Sequence, residues 1–302
     1  MKKKKILILI AIIVICVIAL PIVALFTKKT SSVSEQTMQQ LTLWQIDGFE
    51  GGKGSRANYL QKCSEKCFKD QKIYLTVTAI SADAARINLQ AGKVPDLISY
   101  PAGFYGIENL INSRDFSYKT WCNGSYCVLS LDENADFSDV NTVNTVVNEG
   151  KDNLTQVALT FCGLNGAVCE EPTNAYLKLI SGKNKYLFGT QRDIFRLKAR
   201  NVSFSIKPIT EFNDLFQNIS IMTTNNEKYE TCKRYIDYLS ANSNVGTLGL
   251  LGGGEYCIDE LKAFDGIEYG VTLNYPCGIN YINDIKEAAK NADLNKLKTL
   301  LK

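Results

Sequence analysis

The chain contains no histidine. That absence removes the Ser-His-Asp and Cys-His nucleophile systems, together with every histidine metal site. Any catalysis would have to run on carboxylates. A clustered basic face is missing too. The net charge is +3, and Lys2 to Lys5 supply four positive charges at the extreme N-terminus, so the rest is near neutral. Nucleic acid, which needs such a face, is disfavoured as a partner. The glycine-rich GGKGS of residues 51–55 lacks the spacer and the GK[ST] ending of a phosphate-binding Walker loop. It fits an anion at a helix N-terminus only loosely. The cysteines form no CxxC…CxxC zinc pattern. No metal and no cofactor is expected.

What is present begins with KKKK-ILILIAIIVICVIALPIVALF-TKKTSS. Ile6 to Phe26 carry no charge, and at about 1.5 Å per residue they reach roughly 30 Å, the thickness of a bilayer core. A secretory signal would have a shorter apolar region and a small-x-small cleavage site. An uncleaved anchor is the first reading, with a cleaved or lipidated signal as the alternative. Four lysines precede the span and two follow it, so the N-terminus should stay inside and the body face the extracytoplasmic side. TSSVSEQTMQQ then reads as a polar stalk.

Ten cysteines are present, Cys16 in the apolar run and nine beyond it. An exported location permits disulfides. Cys122 with Cys127, Cys162 with Cys169 and Cys257 with Cys277 are candidate pairs. Cys122 and Cys127 flank the turn NGSY and would meet if they face each other in a hairpin. Buried thiols acting as small hydrophobes remain the alternative.

The roughly 260 residues beyond the stalk are many for one core, which favours two lobes. The pattern is strand, helix, strand, helix. LTLWQI reads as a strand and SRANYLQKCSEKCFKDQ as a helix with Tyr59, Leu60, Cys63, Cys67 and Phe68 on one stripe. KIYLTVTAI is a strand. SADAARINLQAGK is a helix capped by Ser81 and stopped at Gly92, and DLISYP is a buried strand ending at Pro101. Further on, residues 153–166 and 172–181 read as helices, and KYLFGT, FSIKPI and NISIMTT as strands. EKYETCKRYIDYLSAN is an amphipathic helix with Tyr229, Cys232, Tyr235, Ile236 and Leu239 inward. Alternating strands and helices of this length predict an α/β fold with a mostly parallel sheet.

This order of pieces resembles the extracellular solute-binding proteins of ABC importers, the family 1 type that binds sugars. The resemblance is carried by LTLWQIDGF, INLQAGKVPDLISY followed by PAGFYG, NGSYCVL, AYLKLISGKNKYLFGTQRDI and NISIMTTNNEKYETCKRYIDYLS. It covers nearly the whole body, with the second lobe shortened between about residues 130 and 170. It implies a two-lobed periplasmic-binding-protein-like fold of type II, with a hinge and an interlobe cleft, preceded by one N-terminal transmembrane helix. The implied parts are an anchor or signal region at 1–29, a stalk at 30–40, lobe 1 at 41–115 and lobe 2 at 116–212. The chain would return to lobe 1 at 213–253, and a helical part at 254–302 would pack on lobe 2.

Sugars present apolar C–H faces and many hydroxyls, so a site for them wants aromatic platforms and strongly hydrogen-bonding groups. On the resembling loops Trp44, Tyr100, Phe104, Tyr105 and Trp121 supply the first. Asp47, Glu50, Gln191, Arg192 and Asp193 supply the second. The function implied is a monomeric, non-catalytic, extracytoplasmic solute-binding protein, anchored at the cell membrane. It would capture a carbohydrate, expected to be an oligosaccharide, and deliver it to ABC permease subunits. Two alternatives stay open. One is a surface glycoside hydrolase with paired carboxylates such as Asp47 and Asp193. The other is a ligand-sensing or protein-interaction domain on the same fold.

Overall fold

The computed structural model describes residues 39–46, 55–112, 114, 118–149, 154–242 and 259–302, all within one unit, Gln39–Lys302. The span Ile6–Phe26, the stalk up to residue 38, Asp47, Glu50 and Cys257 lie outside the described residues. Among the described residues no helix is long and apolar enough to cross a membrane.

The first lobe grows from β1 (Gln39–Ile46), α1 (Ser55–Gln71), β2 (Ile73–Ile80), α2 (Ala82–Gln90) and β3 (Leu97–Pro101). β1 runs parallel to β2 and β3, and the sheet is completed by β11 (Phe216–Ile221), antiparallel to both β3 and β4 (Lys119–Asn123), in the order β2-β1-β3-β11-β4. Strand side chains alternate between faces. Leu41 and Leu43 therefore join Leu60, Cys63 and Cys67 of α1 and Tyr229, Cys232, Tyr235, Ile236 and Leu239 of α6 (Asn226–Asn242) on one side. Trp44 and Ile46 meet Ala82, Ala85 and Leu89 of α2 on the other. The stripe expected on α6 builds this core, as does that on α1 through Tyr59, Leu60, Cys63 and Cys67, whereas Phe68 stays half-buried, edge-on to Tyr74. Ser81 caps α2 by accepting from the Ala84 amide at 3.3 Å, and Gly92 ends the helix at φ +76°, a conformation that costs glycine little.

The PDL segment at the start of β3 acts through Asp96. Its carboxylate accepts from the Thr42 amide at 2.9 Å, the Thr42 hydroxyl at 3.0 Å and Lys228 Nζ of α6 at 2.9 Å. Its carbonyl takes the Met222 amide after β11. One residue thereby fastens β1, β3, β11 and α6 at the end of the sheet away from the second lobe.

The second lobe has the sheet order β7-β6-β8-β5-β9, from β7 (Val168–Glu170), β6 (Thr145–Asn148), β8 (Tyr186–Thr190), β5 (Tyr126–Ser130) and β9 (Ser205–Pro208). α4 (Pro172–Ile180) and α5 (Gln191–Lys198) cover one face, where Ala175, Leu179, Ile194 and Leu197 are buried. α3 (Thr155–Phe161), α7 (Ile279–Lys290) and α8 (Leu294–Leu300) cover the other, packing Val157, Ala158, Ile282, Ile285 and Leu297 with Tyr126 and Phe188. β7 was not anticipated: three residues ending a loop are too few to show a period.

The chain passes between the lobes at Asn123–Tyr126, later than the expected boundary at 116, because β4 pairs with β11 and so belongs to the first sheet. It returns through β10 (Phe212–Asn213) to β11. A third segment, β12 (Val271–Thr272), runs parallel to β10. Asn213 knits the three: Nδ2 donates to the Gly124 carbonyl at 3.0 Å, Oδ1 accepts from the Leu215 amide at 3.1 Å, and its carbonyl accepts from the Leu273 amide at 2.9 Å.

The cysteine pairing is corrected by this topology. Cys122 lies on β4 and Cys127 on β5, strands of two different sheets, so no hairpin brings them face to face. Both are unbridged, as are Cys162, Cys169 and Cys277. Burial pushes the Cys162 and Cys277 thiols up to about 12 and Cys63 to about 11, which suppresses their thiolates.

Two outcomes follow. Replacing Asp96 with Ala should lower stability by about 2 kcal/mol in urea denaturation, mainly through the two lost Thr42 bonds, since Lys228 is half exposed and its ion pair is screened. Lys228→Met should cost far less. Mass spectrometry of the native protein under maleimide should show Cys162 and Cys169, both half-buried, alkylated before Cys63, Cys67, Cys122 and Cys127, with no mass gain for these six on prior reduction.

Candidate functional site between the lobes

Where the two lobes meet, the chain places polar side chains that are entirely buried. Gln45, Ser99 and Gln217 come from the first lobe, Ser125 from the first passage, and Gln191 from the N-terminus of α5. Their bonds are specific. Gln217 Nε2 donates to the carbonyl of Ile46, the last residue of β1, at 2.9 Å and to Ser99 Oγ at 3.1 Å. Gln45 Nε2 reaches the same carbonyl at 3.2 Å. Gln191 Oε1 accepts from the Ser125 amide at 2.9 Å, bridging the passage to α5. Gln217 Oε1 is buried and accepts from no described residue. Buried acceptors of this kind find a donor in water or a ligand. Neutral amides and hydroxyls thus gather near the carboxyl ends of β1 and β8, where open α/β sheets place ligands, and Arg56 in the first turn of α1 is fully buried as well.

The aromatic platforms are mostly not there. Tyr100 and Phe104 are fully buried against α2, with the Tyr100 hydroxyl 2.8 Å from Ser220 Oγ. Trp121 is fully buried on the opposite face, stacked on Tyr59 at 6.0 Å, and its indole N–H donates to Ser99 Oγ at 2.8 Å. These three are core residues, and none offers an open ring face. Trp44 stands two residues before the end of β1, beside Ile98 and Thr78, and is half-buried on the α2 side. Tyr105 is half-buried beneath the Arg86 guanidinium, 4.4 Å from its ring, and packs on the second lobe's core. It is a bridge between lobes.

QRD at 191–193 resolves into two roles. Gln191 is the bridge just described, and the Arg192 amide donates to the capping Thr190 hydroxyl at 3.3 Å. Asp193 closes a capping box with Thr190, accepts from both the Thr190 amide and Asn148 Nδ2, and pairs with Arg196 at 2.9 Å. Arg196, one helical turn on, is its ion-pair partner. A carboxylate so engaged is unsuited to serve as an acid or base. Among the described residues no group of three His, Cys, Asp or Glu could hold a metal.

Sequence reasoning missed Tyr269. It lies in GIEYGV, ahead of β12, half-buried, and its hydroxyl donates to Ser125 Oγ at 2.8 Å. No periodicity marks it, because its position depends on a segment that arrives at the passage from far along the chain. Gln45 and Gln217 were equally hidden. Each sits in an alternating strand where an apolar residue would serve as well.

Gly189 shows how tightly this wall is drawn. A Cβ there would lie 2.3 Å from Asp193 Oδ2. Gly189→Ala should cost about 2 kcal/mol in the native background. In an Asp193→Ala background, where the obstructing carboxylate is gone, the same change should cost much less, a coupling that a double-mutant denaturation cycle reads directly.

No protein-family model matches the sequence, and no curated protein does. Solved structures do. Iron-bound HitA from Pseudomonas aeruginosa is similar over 87% of this chain and 99% of its own, at 10% identity and a TM-score of 0.50. A substrate-binding domain assigned to a molybdenum ABC transporter from Clostridium difficile is similar over 67% and 93%, at 14% identity and 0.48. The reduced regulatory domain of OxyR from Pseudomonas aeruginosa is similar over 68% and 99%, at 11% identity and 0.46. Two mixed sheets joined by crossing strands, together with the likeness to HitA along nearly its full length, give this chain the two-lobed α/β fold of type II periplasmic binding proteins.

Proposed function

We propose that the protein is the solute-binding component of an ABC import system, anchored by its N-terminus with the body on the extracytoplasmic side. It holds a small carbohydrate between its lobes and presents it to a membrane permease without chemical change. The observation that carries the reading is the set of buried hydroxyl and amide groups at the passage, Ser99, Ser125, Gln191 and Gln217, among which Gln217 Oε1 accepts from no described residue. Neutral donors and acceptors of this kind suit a polyol. With Tyr100, Phe104 and Trp121 in the core, the stacking surface shrinks to Tyr269 and its neighbourhood, which favours one or two sugar rings over the longer oligosaccharide. Asp47 and Glu50, which follow β1 in sequence, complete the proposal as hydrogen-bonding carboxylates. The hydrolase alternative loses one of its two carboxylates to the Asp193 capping box.

A thermal-shift screen against mono- and disaccharides tests this. A solute with micromolar affinity at millimolar concentration stabilises by about 4 kcal/mol. Tyr269→Ala and Asp47→Ala should abolish the shift, whereas Trp44→Ala should retain it at a lower starting Tm. A sugar returned cleaved would favour the hydrolase. No shift with any sugar would sink the carbohydrate reading and direct attention to sensing or a protein partner.

A further inference from the structure

At the passage end of the first sheet, the hydrogen bonds of a buried polar cluster leave one donor and one acceptor over. Gln45 of β1, Ser99 of β3 and Gln217 of β11 lie on the same face as Leu43, Leu97 and Ile219, the face that α1 and α6 cover. All three are fully buried, and so is Trp121 beside them. The Gln217 carboxamide has two N–H hydrogens. One goes to the Ile46 carbonyl at 2.9 Å and the other to Ser99 Oγ at 3.1 Å. Turning the amide over would set its oxygen against the Ile46 carbonyl oxygen, so its partners fix its orientation. Ser99 Oγ has two lone pairs, and the Trp121 indole N–H takes the second at 2.8 Å. The Ile46 carbonyl accepts from Gln45 Nε2 as well, at 3.2 Å, and is engaged twice. Two groups remain. The Ser99 hydroxyl hydrogen meets no acceptor among the described residues, and Gln217 Oε1 meets no donor there.

These two are close together. The nitrogen and oxygen of one amide stand about 2.2 Å apart, so Gln217 Oε1 lies within about 5.3 Å of Ser99 Oγ. One oxygen at the usual O–H···O length of about 2.8 Å from each spans that distance. The matching group must accept from Ser99 and donate to Gln217. A water or an alcohol hydroxyl does both through a single oxygen. An ionised carboxylate or phosphate oxygen cannot donate, and an ammonium cannot accept. Leaving both groups unmatched at a fully buried position is the costly alternative. We propose that Ser99 and Gln217 together hold one hydroxyl-type oxygen, supplied by water or by a solute hydroxyl, which accepts from Ser99 and donates to Gln217. The solute as source rests on the solute-binding reading, and water as source does not. Trp121, buried in the core, acts on this place only through the Ser99 lone pair it occupies.

Two crystal structures of the full-length protein test this. The first is grown without sugar, at a resolution that orders waters. It should show a water within hydrogen-bonding distance of both Ser99 Oγ and Gln217 Oε1. In Gln217→Met, which keeps the length of the side chain and removes the acceptor, that water should be lost. The second structure carries the sugar that raises the Tm furthest, and it separates the two sources. A sugar hydroxyl bridging the two atoms assigns the place to the solute. A water still bridging them beside a bound sugar assigns it to water, and the sugar's contact with Gln217 then falls while the Ser99–Gln217 site stands. No bridging oxygen in either crystal overturns the proposal, as does a Gln217→Met protein that keeps the water in place. The native crystals decide alone if that variant fails to fold, and the sugar-free one decides alone if no sugar binds.

Discussion

The structure depends on satisfying the polar groups of three chain segments that cross between two hydrophobic cores. Backbone N–H and C=O groups buried without partners cost about as much as the contacts around them contribute. At the passage no sheet ladder is long enough to pair them all. Asn213 solves this with one side chain, bonding the Gly124 carbonyl and the Leu215 amide, while its own carbonyl holds the third segment. Everything on either side follows from that point. β4 and β11 leave it toward the first sheet, β5 and β9 toward the second, and Gln191 and Gln217 extend the polar network to the ends of β8 and β1.

The same constraint gives the site its character. Where three segments cross, amides and hydroxyls that bond in fixed directions are favoured. Asp193 is capped and paired, and Asp214 accepts from Tyr126 and the Leu154 amide, so both carboxylates are already engaged.

Much of the fold was legible in the sequence because it rests on periodicity. The alternation of LTLWQI, the stripe of α1, the Ser81 cap, the Gly92 stop and the inward face of α6 all depend on neighbours within a few residues, and the structure shows each where the pattern puts it. The site was less legible. Tyr100, Phe104 and Trp121 are aromatic residues near loop or strand ends, a composition that fits a sugar platform or a core equally well. The choice between them is made by α1 and α2, which cover both faces of the first sheet. Tyr269 and Asp214 gave no local signal at all. Their roles arise from contacts with Ser125, Tyr126 and Leu154, brought beside them only when the segments cross. The cysteine pairing failed for a related reason: NGSY looks like a hairpin turn, but here it is a passage from one sheet to another.

The measurement that bears most directly on a solute-binding site at the hinge is a crystal structure of the protein soaked or co-crystallised with the sugar that shifts its Tm furthest. The sugar should lie between the lobes, with a ring against Tyr269 and hydroxyls within hydrogen-bonding distance of Gln217 Oε1 and of Ser125 or Gln191. A sugar bound on an outer face of either lobe, with the passage residues bonded as they are now, would contradict it.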